Sequence, residues 1–193
     1  WLPVARHLDG VEPVVAVGLE DHLDNSTESA EEATAVLGLC TELVGRLWHD
    51  PSVRDDHGRP AAPRPLVPDD IIVITPYNRQ VERIRQVLQG AGLDTVRVGT
   101  VDKFQGQEAA VAILSMAASS HSDVVRGMGF LLDRHRLNVG ISRGQYAAYI
   151  VRSRVLTDFA PRTPDELITL GAFLRLGDAA VPAASPHPFA VPA

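Results

Sequence analysis

Residues 98–116 read Val98-Gly99-Thr100-Val101-Asp102-Lys103-Phe104-Gln105-Gly106-Gln107-Glu108-Ala109-Ala110-Val111-Ala112-Ile113-Leu114-Ser115-Met116. A polar, glycine-bearing loop over 100–108 separates two apolar runs of strand type. Gly106 removes a side chain where a backbone must come close to something. Gln105, Gln107 and Glu108 surround it with hydrogen-bonding groups, and Thr100, Asp102 and Lys103 add more at the loop entry. Strand, polar glycine loop, strand is how open α/β sheets build ligand sites at strand ends.

Outward from this stretch, strands and helices alternate. The runs 14–17, 70–75, 95–98, 110–116 and 147–151 read as strands. Apolar residues at 30, 33, 36, 37, 40, 43, 44 and 47 define one face of a helix over 30–47. Asn25, Ser26 or Thr27 can cap it, and acids fill its first turn. Residues 78–89 read as a helix with Val81, Ile84, Val87 and Leu88 inward, closed by Gly90 or Gly92. Residues 131–142 and 165–176 read as further helices, and 118–128 as irregular. The segment 51–68 holds five prolines and reads as a loop. The Ala/Pro-rich residues 179–193 read as a disordered tail after a single domain over 1–178. This alternation gives an α/β fold, a parallel sheet with helices on both faces.

The 193 residues fit one domain with a real core, of ordinary globular composition, 45% hydrophobic and 22% charged. The single cysteine excludes a disulfide framework and makes a reducing cytosol the expected setting. No signal peptide and no 18-residue apolar run is present, so no membrane partner is expected. The net charge of -6 argues against a binder of nucleic acid over its whole surface, though not against a local track. Lys103 is the only lysine, and no G-x-x-x-x-G-K-[ST] loop occurs. The phosphate-cradling loop, its lysine and the acid pair for Mg2+ are therefore missing from this stretch of chain.

The segment 100–108, T-V-D-K-F-Q-G-Q-E, resembles the T-V-D-x-F-Q-G-x-E motif of superfamily 1 DNA and RNA helicases. Three other stretches agree in the family's order: the polar lead-in 25–33 (N-S-T-E-S-A-E-E-A), Thr75-Pro76-Tyr77-Asn78-Arg79-Gln80, and Arg136-Leu137-Asn138-Val139-Gly140-Ile141-Ser142-Arg143. Segments 126–131 (R-G-M-G-F-L) and 162–164 (R-T-P) are similar to bacterial fusions of a RecB-like nuclease with such a helicase. The resemblance covers about residues 14–152. It implies a RecA-like fold, the second motor domain of a helicase or translocase, cut at Trp1 from a polypeptide whose first RecA-like domain holds most of the ATP and Mg2+ contacts. It implies a bacterial, cytoplasmic protein acting on single-stranded nucleic acid, DNA in the first instance, with a nuclease domain in the same polypeptide as a further partner.

Residue roles follow from the same resemblance. Arg143 and Arg136 are the candidate catalytic pair. Seven residues apart, they share a helix face by spacing alone, which also suits two solvated arginines. In the family the arginine ending this motif reaches the γ-phosphate of ATP held by the other domain, and a planar permanent charge suits that task. For Arg136, orienting the loop and binding nucleotide are equal readings. Gly106, Gln107, Glu108, Arg79 and Gln80 are the candidate nucleotide contacts, Glu108 at the ribose hydroxyls. Thr75, Tyr77, Thr100 and Lys103 are the candidate nucleic-acid contacts. Tyr77 suits a base platform or packing on the sheet edge, with packing favoured. Phe104 reads as a core plug under the loop, and Cys40 as inert core.

Departures from the pattern keep rivals open. Val81 stands where many relatives carry an arginine, and Arg79 is the candidate substitute. Gly140 and Gly144 replace alanines, and two helical glycines cost about 1 kcal/mol each, which suits a mobile or degenerate arginine loop. Gln145 replaces a frequent basic residue. A degenerate docking module for a nuclease or repair partner is one rival. A complete small phosphotransferase is another, opposed by the missing phosphate loop.

Overall fold

The apolar runs become the strands of one parallel sheet. The computed structural model describes residues 6–20 and 22–178. In chain order the elements are β1 (His7–Leu8), β2 (Val14–Leu19), α1 (Ala30–Leu43), β3 (Leu47–His49), β4 (Arg64–Pro65), β5 (Ile71–Ile74), α2 (Asn78–Gly90), β6 (Arg97–Gly99), β7 (Ala109–Ser115), α3 (Met128–Leu131), α4 (Arg134–Ile141), β8 (Gly144–Ser153) and α5 (Pro164–Asp178). The main sheet runs β2-β8-β7-β5-β6, with every neighbouring pair parallel. A small antiparallel sheet, β1-β3-β4, stands beside it.

Both faces of the main sheet are covered, as a parallel sheet requires. Side chains alternate along each strand. Ile71 and Val73 of β5 and Val111 and Ile113 of β7 face one cluster, with Val36, Leu39 and Cys40 of α1 and Ile84 and Leu88 of α2. Ile72, Ile74, Ala112 and Leu114 face the other, with Leu131 of α3, Leu137 of α4, and Leu170 and Phe173 of α5. Each Ile or Leu sealed in this way contributes about 1.5–3 kcal/mol. The expected α/β fold of RecA-like type, with helices on both faces, is the observed one.

Boundaries moved where tertiary contacts override local pattern. The first helix stops at Leu43 rather than 47, because the chain turns at Gly45 and pairs with Leu66, so Leu47 and Trp48 join a strand. Its cap is Ser29, whose Oγ accepts from the Glu32 N–H at 3.0 Å, not Asn25, Ser26 or Thr27. The expected helix over 131–142 is two helices, because Asp133 accepts from the Arg136 N–H at 2.8 Å and restarts the chain as α4. Gly144 is not helical either. It opens β8, where an added Cβ would run into the Ala147 backbone, so only Gly140 carries a helical glycine cost. The segment 51–68 holds an isolated bridge between Arg54 and Pro60, then β4, and ends where a 3-10 turn begins at Pro68. The tail expected over 179–193 lies outside the described residues.

Candidate functional site

The loop over 100–108 crosses the sheet from one end to the other. Thr100 follows the C-terminal end of β6, and Ala109 begins β7 at the N-terminal end of the parallel strands. One 3-10 turn over Val101–Phe104 starts the crossing, and Phe104 is sealed beneath it as the expected plug. Gly106 then adopts a φ of 76°, in the region glycine favours, and nothing lies within 4 Å of where its Cβ would be. The polar residues of the loop are thereby dealt to two different ends of the sheet.

At the N-terminal end, Gln107, Glu108, Arg143 and Gln145 come together. The register places Ala109 against Gly144, and the Ala109 N–H donates to the Arg143 carbonyl at 2.9 Å. Arg143 lies past the end of α4. Its Nε donates to Val139 O at 3.0 Å, and Nη1 donates to Gln107 O at 3.4 Å. Gln145 Nε2 donates to Glu108 Oε2 at 3.3 Å. Gly106 and Gln107 lie with Glu108 on an exposed rim, with a half-buried guanidinium against them. An exposed carboxylate beside backbone carbonyls and a permanent cation suits a ligand offering hydroxyl donors and anionic oxygens.

At the C-terminal end lies a cavity of about 240 Å³ bounded by Thr75, Asn78, Thr100, Asp102, Arg126 and Arg136, among others. Thr75 is only 1% exposed, and its hydroxyl is buried without a hydrogen-bond partner. The guanidiniums of Arg126 and Arg136 lie 3.8 and 4.1 Å from the centre of the Phe130 ring. Both cations lie over this one ring, so Phe130 gathers two positive charges beside the cavity. Arg136 therefore belongs to this end. The expected shared face with Arg143 is lost because α4 ends at Ile141. Tyr77 is buried and packs near Phe130, with ring centres 6.0 Å apart, and burial pushes its phenol up. Lys103 stands apart from the cavity, tied back by Nζ to Val98 O at 3.1 Å.

Gln80 and Arg79 sit elsewhere. Gln80 is fully buried. Its Oε1 accepts from Ser29 N at 2.7 Å, and Nε2 donates to Ser29 O at 3.2 Å and Ser115 Oγ at 3.0 Å. Its amide is spent on tying the start of α1 to the end of β7, so it acts on a ligand only through those elements. Arg79 pairs with Glu28 at 2.9 Å, and Arg83 pairs with the same carboxylate at 3.5 Å. Neither approaches the rim at Glu108. Val81 is buried in the core beneath α2.

A polar network that sequence reading missed lies below this end. Ser29 and Glu32 have capping-box spacing, but the Glu32 side chain does not return to Ser29, whose N–H is taken by Gln80. Glu32 Oε1 instead meets His22 Nε2 at 2.8 Å, and Oε2 accepts from Ser115 Oγ at 2.6 Å and Ala117 N at 3.0 Å. His22 Nδ1 meets Ser119 Oγ at 2.8 Å, and Ser119 Oγ accepts from Asn25 N at 2.8 Å. Serine, histidine and carboxylate in a row have the order of a nucleophile relay. All three are 1% exposed or less and none of them borders the Thr75 cavity, so no substrate reaches the serine and the network is internal scaffolding. Partners up to 97 residues apart carry it, and no local motif marks them.

Among the described residues no group of three His, Cys, Asp or Glu side chains could hold a metal ion, and no helix is long and apolar enough to cross a membrane. A family model described as an AAA domain matches residues 12–154. The chain is 49% identical over 74 residues to the DNA polymerase alpha-associated DNA helicase A of Schizosaccharomyces pombe, covering 38% of this chain and 11% of that protein. It is 46% identical over 77 residues to the human RNA helicase Mov10l1, covering 38% of this chain and 6% of that one. It is 30% identical over 164 residues to the mouse 3'-5' exoribonuclease HELZ2, covering 80% of this chain and 5% of that one. The chain thus spans only a small part of each of these relatives.

Proposed function

The chain belongs to the AAA domain family and is a superfamily 1 helicase-type domain, and from that premise we propose that it is the second, C-terminal motor domain of an ATP-dependent helicase or translocase. The observation that carries this reading is the meeting of Arg143 with the 106–108 backbone and Glu108 at the strand N-termini, far along the sheet from the Thr75–Thr100 cavity. A motor needs two surfaces of this kind, one for fuel and one for track, coupled by a single loop.

The rim is the half of the ATP site that this domain supplies. ATP, when bound, brings a phosphoanhydride whose cleavage drives the motion, with Mg2+ held mainly by residues of a first RecA-like domain. Arg143 offers a planar cation for charge developing on phosphoryl oxygens. Glu108 accepts from sugar hydroxyls. The open backbone at Gly106 admits close approach. Arg136, grouped with the cavity, orients rather than reacts.

The cavity is the track. Thr100 faces a strand backbone, the orphan Thr75 hydroxyl lies in the cavity wall beside it, and Arg126 and Arg136 supply cations. Phe130, overlaid by both guanidiniums, presents charge rather than a base platform. Tyr77 supports the track by packing near Phe130, and Lys103 stands outside the cavity, free to meet a phosphate only by leaving Val98 O. The track takes single-stranded DNA in this reading. A cytoplasmic setting and a nuclease domain in the same polypeptide complete it, the latter resting on the likeness at 126–131 and 162–164.

The test is division of labour. The isolated chain should not turn over ATP, with or without nucleic acid, while a polypeptide joining it to a phosphate-loop domain should. Turnover by the pure isolated chain at helicase-like rates would sink the split site.

A further inference from the structure

We propose that Arg97, a residue outside every motif named above, is a positioning residue that aims Gln107 and Glu108. The proposal rests on reading the Gly106 rim as the nucleotide edge.

Arg97 is the first residue of β6, the edge strand of the sheet, and pairs with Ile72. An arginine there would ordinarily run out into water. This one turns back across the start of β5 towards β7. Its Nη2 donates to Glu108 O at 3.1 Å and its Nη1 to Gln107 Oε1 at 3.5 Å, while its Nε is buried without a partner. The nearby acid does not explain the turn. Asp70, whose carboxyl feels the Arg97 charge, is already held by both Nη1 and Nη2 of Arg64. The guanidinium gives its hydrogen bonds to the loop instead.

Those bonds complete a frame. Gln107 is held from three sides: Nε2 donates to Lys103 O at 3.1 Å, its carbonyl accepts from Arg143, and its Oε1 accepts from Arg97. Glu108 is held by its carbonyl, through Arg97, and by one carboxylate oxygen, through neutral Gln145. Because Arg97 takes the carbonyl and not the carboxylate, the Glu108 side chain keeps lone pairs free for an incoming donor. The rim residues are exposed and nothing packs where a Cβ of Gly106 would lie, so side-chain ties from rigid strands are what order them. The cation matters because charge-assisted bonds are the stronger ones, and the fork reaches two residues at once.

Two measurements test this. In the 193-residue chain, Arg97→Met should speed backbone amide exchange at Gln107, Glu108 and Ala109 by about 10-fold, while amides inside β5 and β7 keep their protection. Unchanged exchange at those three residues would overturn the positioning role. Should the methionine variant unfold, Arg97→Gln keeps a donor on a shorter stem and should show the same local loss. In the polypeptide joining this chain to a phosphate-loop domain, Arg97→Met should raise the KM for ATP about 5-fold with kcat little changed, and should add little on top of Glu108→Ala. Arg97→Lys should restore only part. If Glu108→Ala alone leaves KM unchanged, the nucleotide-edge reading itself fails. If Glu108→Ala raises KM and Arg97→Met does not, or the two effects simply add, the edge stands and Arg97 does not position it.

Discussion

Arg136 and Arg143 are seven residues apart in sequence, yet they serve opposite ends of the sheet. Arg136 lies over Phe130 at the cavity of Thr75 and Thr100. Arg143 lies past α4 with its guanidinium against the Gln107 carbonyl. A single eight-residue helix therefore joins the two surfaces at one side, and the 100–108 loop joins them at the other. Between them β7 runs directly from Ala109 at the rim to Ser115 at the cavity, so rim and cavity are tied by a strand, a helix and a loop, the kind of coupling a motor domain would need.

The buried network should be costly to cut. Glu32→Ala leaves His22, Ser115 and the Ala117 N–H without their acceptor in a sealed site. The expected loss is about 3–5 kcal/mol. Urea unfolding of the chain should show a lower midpoint with an unchanged slope. A loss within the ordinary surface range of about 0.5 kcal/mol would mean that the network carries no strain-bearing load.

Acid should loosen the turn before β5. Burial pushes the Asp70 carboxyl up, but the Arg64 bonds, the Val67 N–H and the charges of Arg64 and Arg97 outweigh it, leaving it below its ordinary 3.8. A carboxyl lowered by folding stabilises the native state at pH above its ordinary value. That stability is lost as pH falls through the lowered value. Asp70→Asn should therefore narrow the stability gap between neutral pH and pH 3, measured by thermal melts, relative to the parent chain. An equal gap in both would refute the assignment.

Thr75→Val separates fold from track. The hydroxyl is buried and unpartnered, so its loss should leave stability unchanged or raise it by up to about 1 kcal/mol. Single-stranded DNA binding by the chain, expected in the micromolar range or weaker and falling steeply with salt, should drop several-fold. Fluorescence anisotropy with a labelled strand measures it. Unchanged affinity would remove Thr75 from the track.

The sequence carried much of this in plain view, and the pattern of what it hid is physical. The five strands of the main sheet, α2 and the Phe104 plug follow from apolar period and turn chemistry over a few neighbouring residues. The Asp133 cap is a local signal too, and it splits a helix that the apolar pattern runs together. The end of α4 at Ile141 leaves no such mark, so Arg136 and Arg143 look like neighbours on one face. Gln80 stands in a ligand motif, yet its amide is consumed by Ser29 and Ser115, 51 and 35 residues away. His22, Glu32 and Ser119 meet only when β2, α1 and β7 are brought together. Arg97 is one unremarkable basic residue at a strand start until the 107–108 backbone folds up beside it.

The central claim is that this domain lends Arg143 to an ATP site completed by another domain. The most direct measurement is steady-state ATP turnover by the polypeptide joining the chain to a phosphate-loop domain, parent against Arg143→Ala and Arg143→Lys. The expected result is a fall in kcat of roughly 10³ or more for alanine, little rescue by lysine because an ammonium lacks the planar fork, and nucleotide binding and folding nearly intact. Near-parental turnover by Arg143→Ala would contradict the account and leave the domain as a docking module.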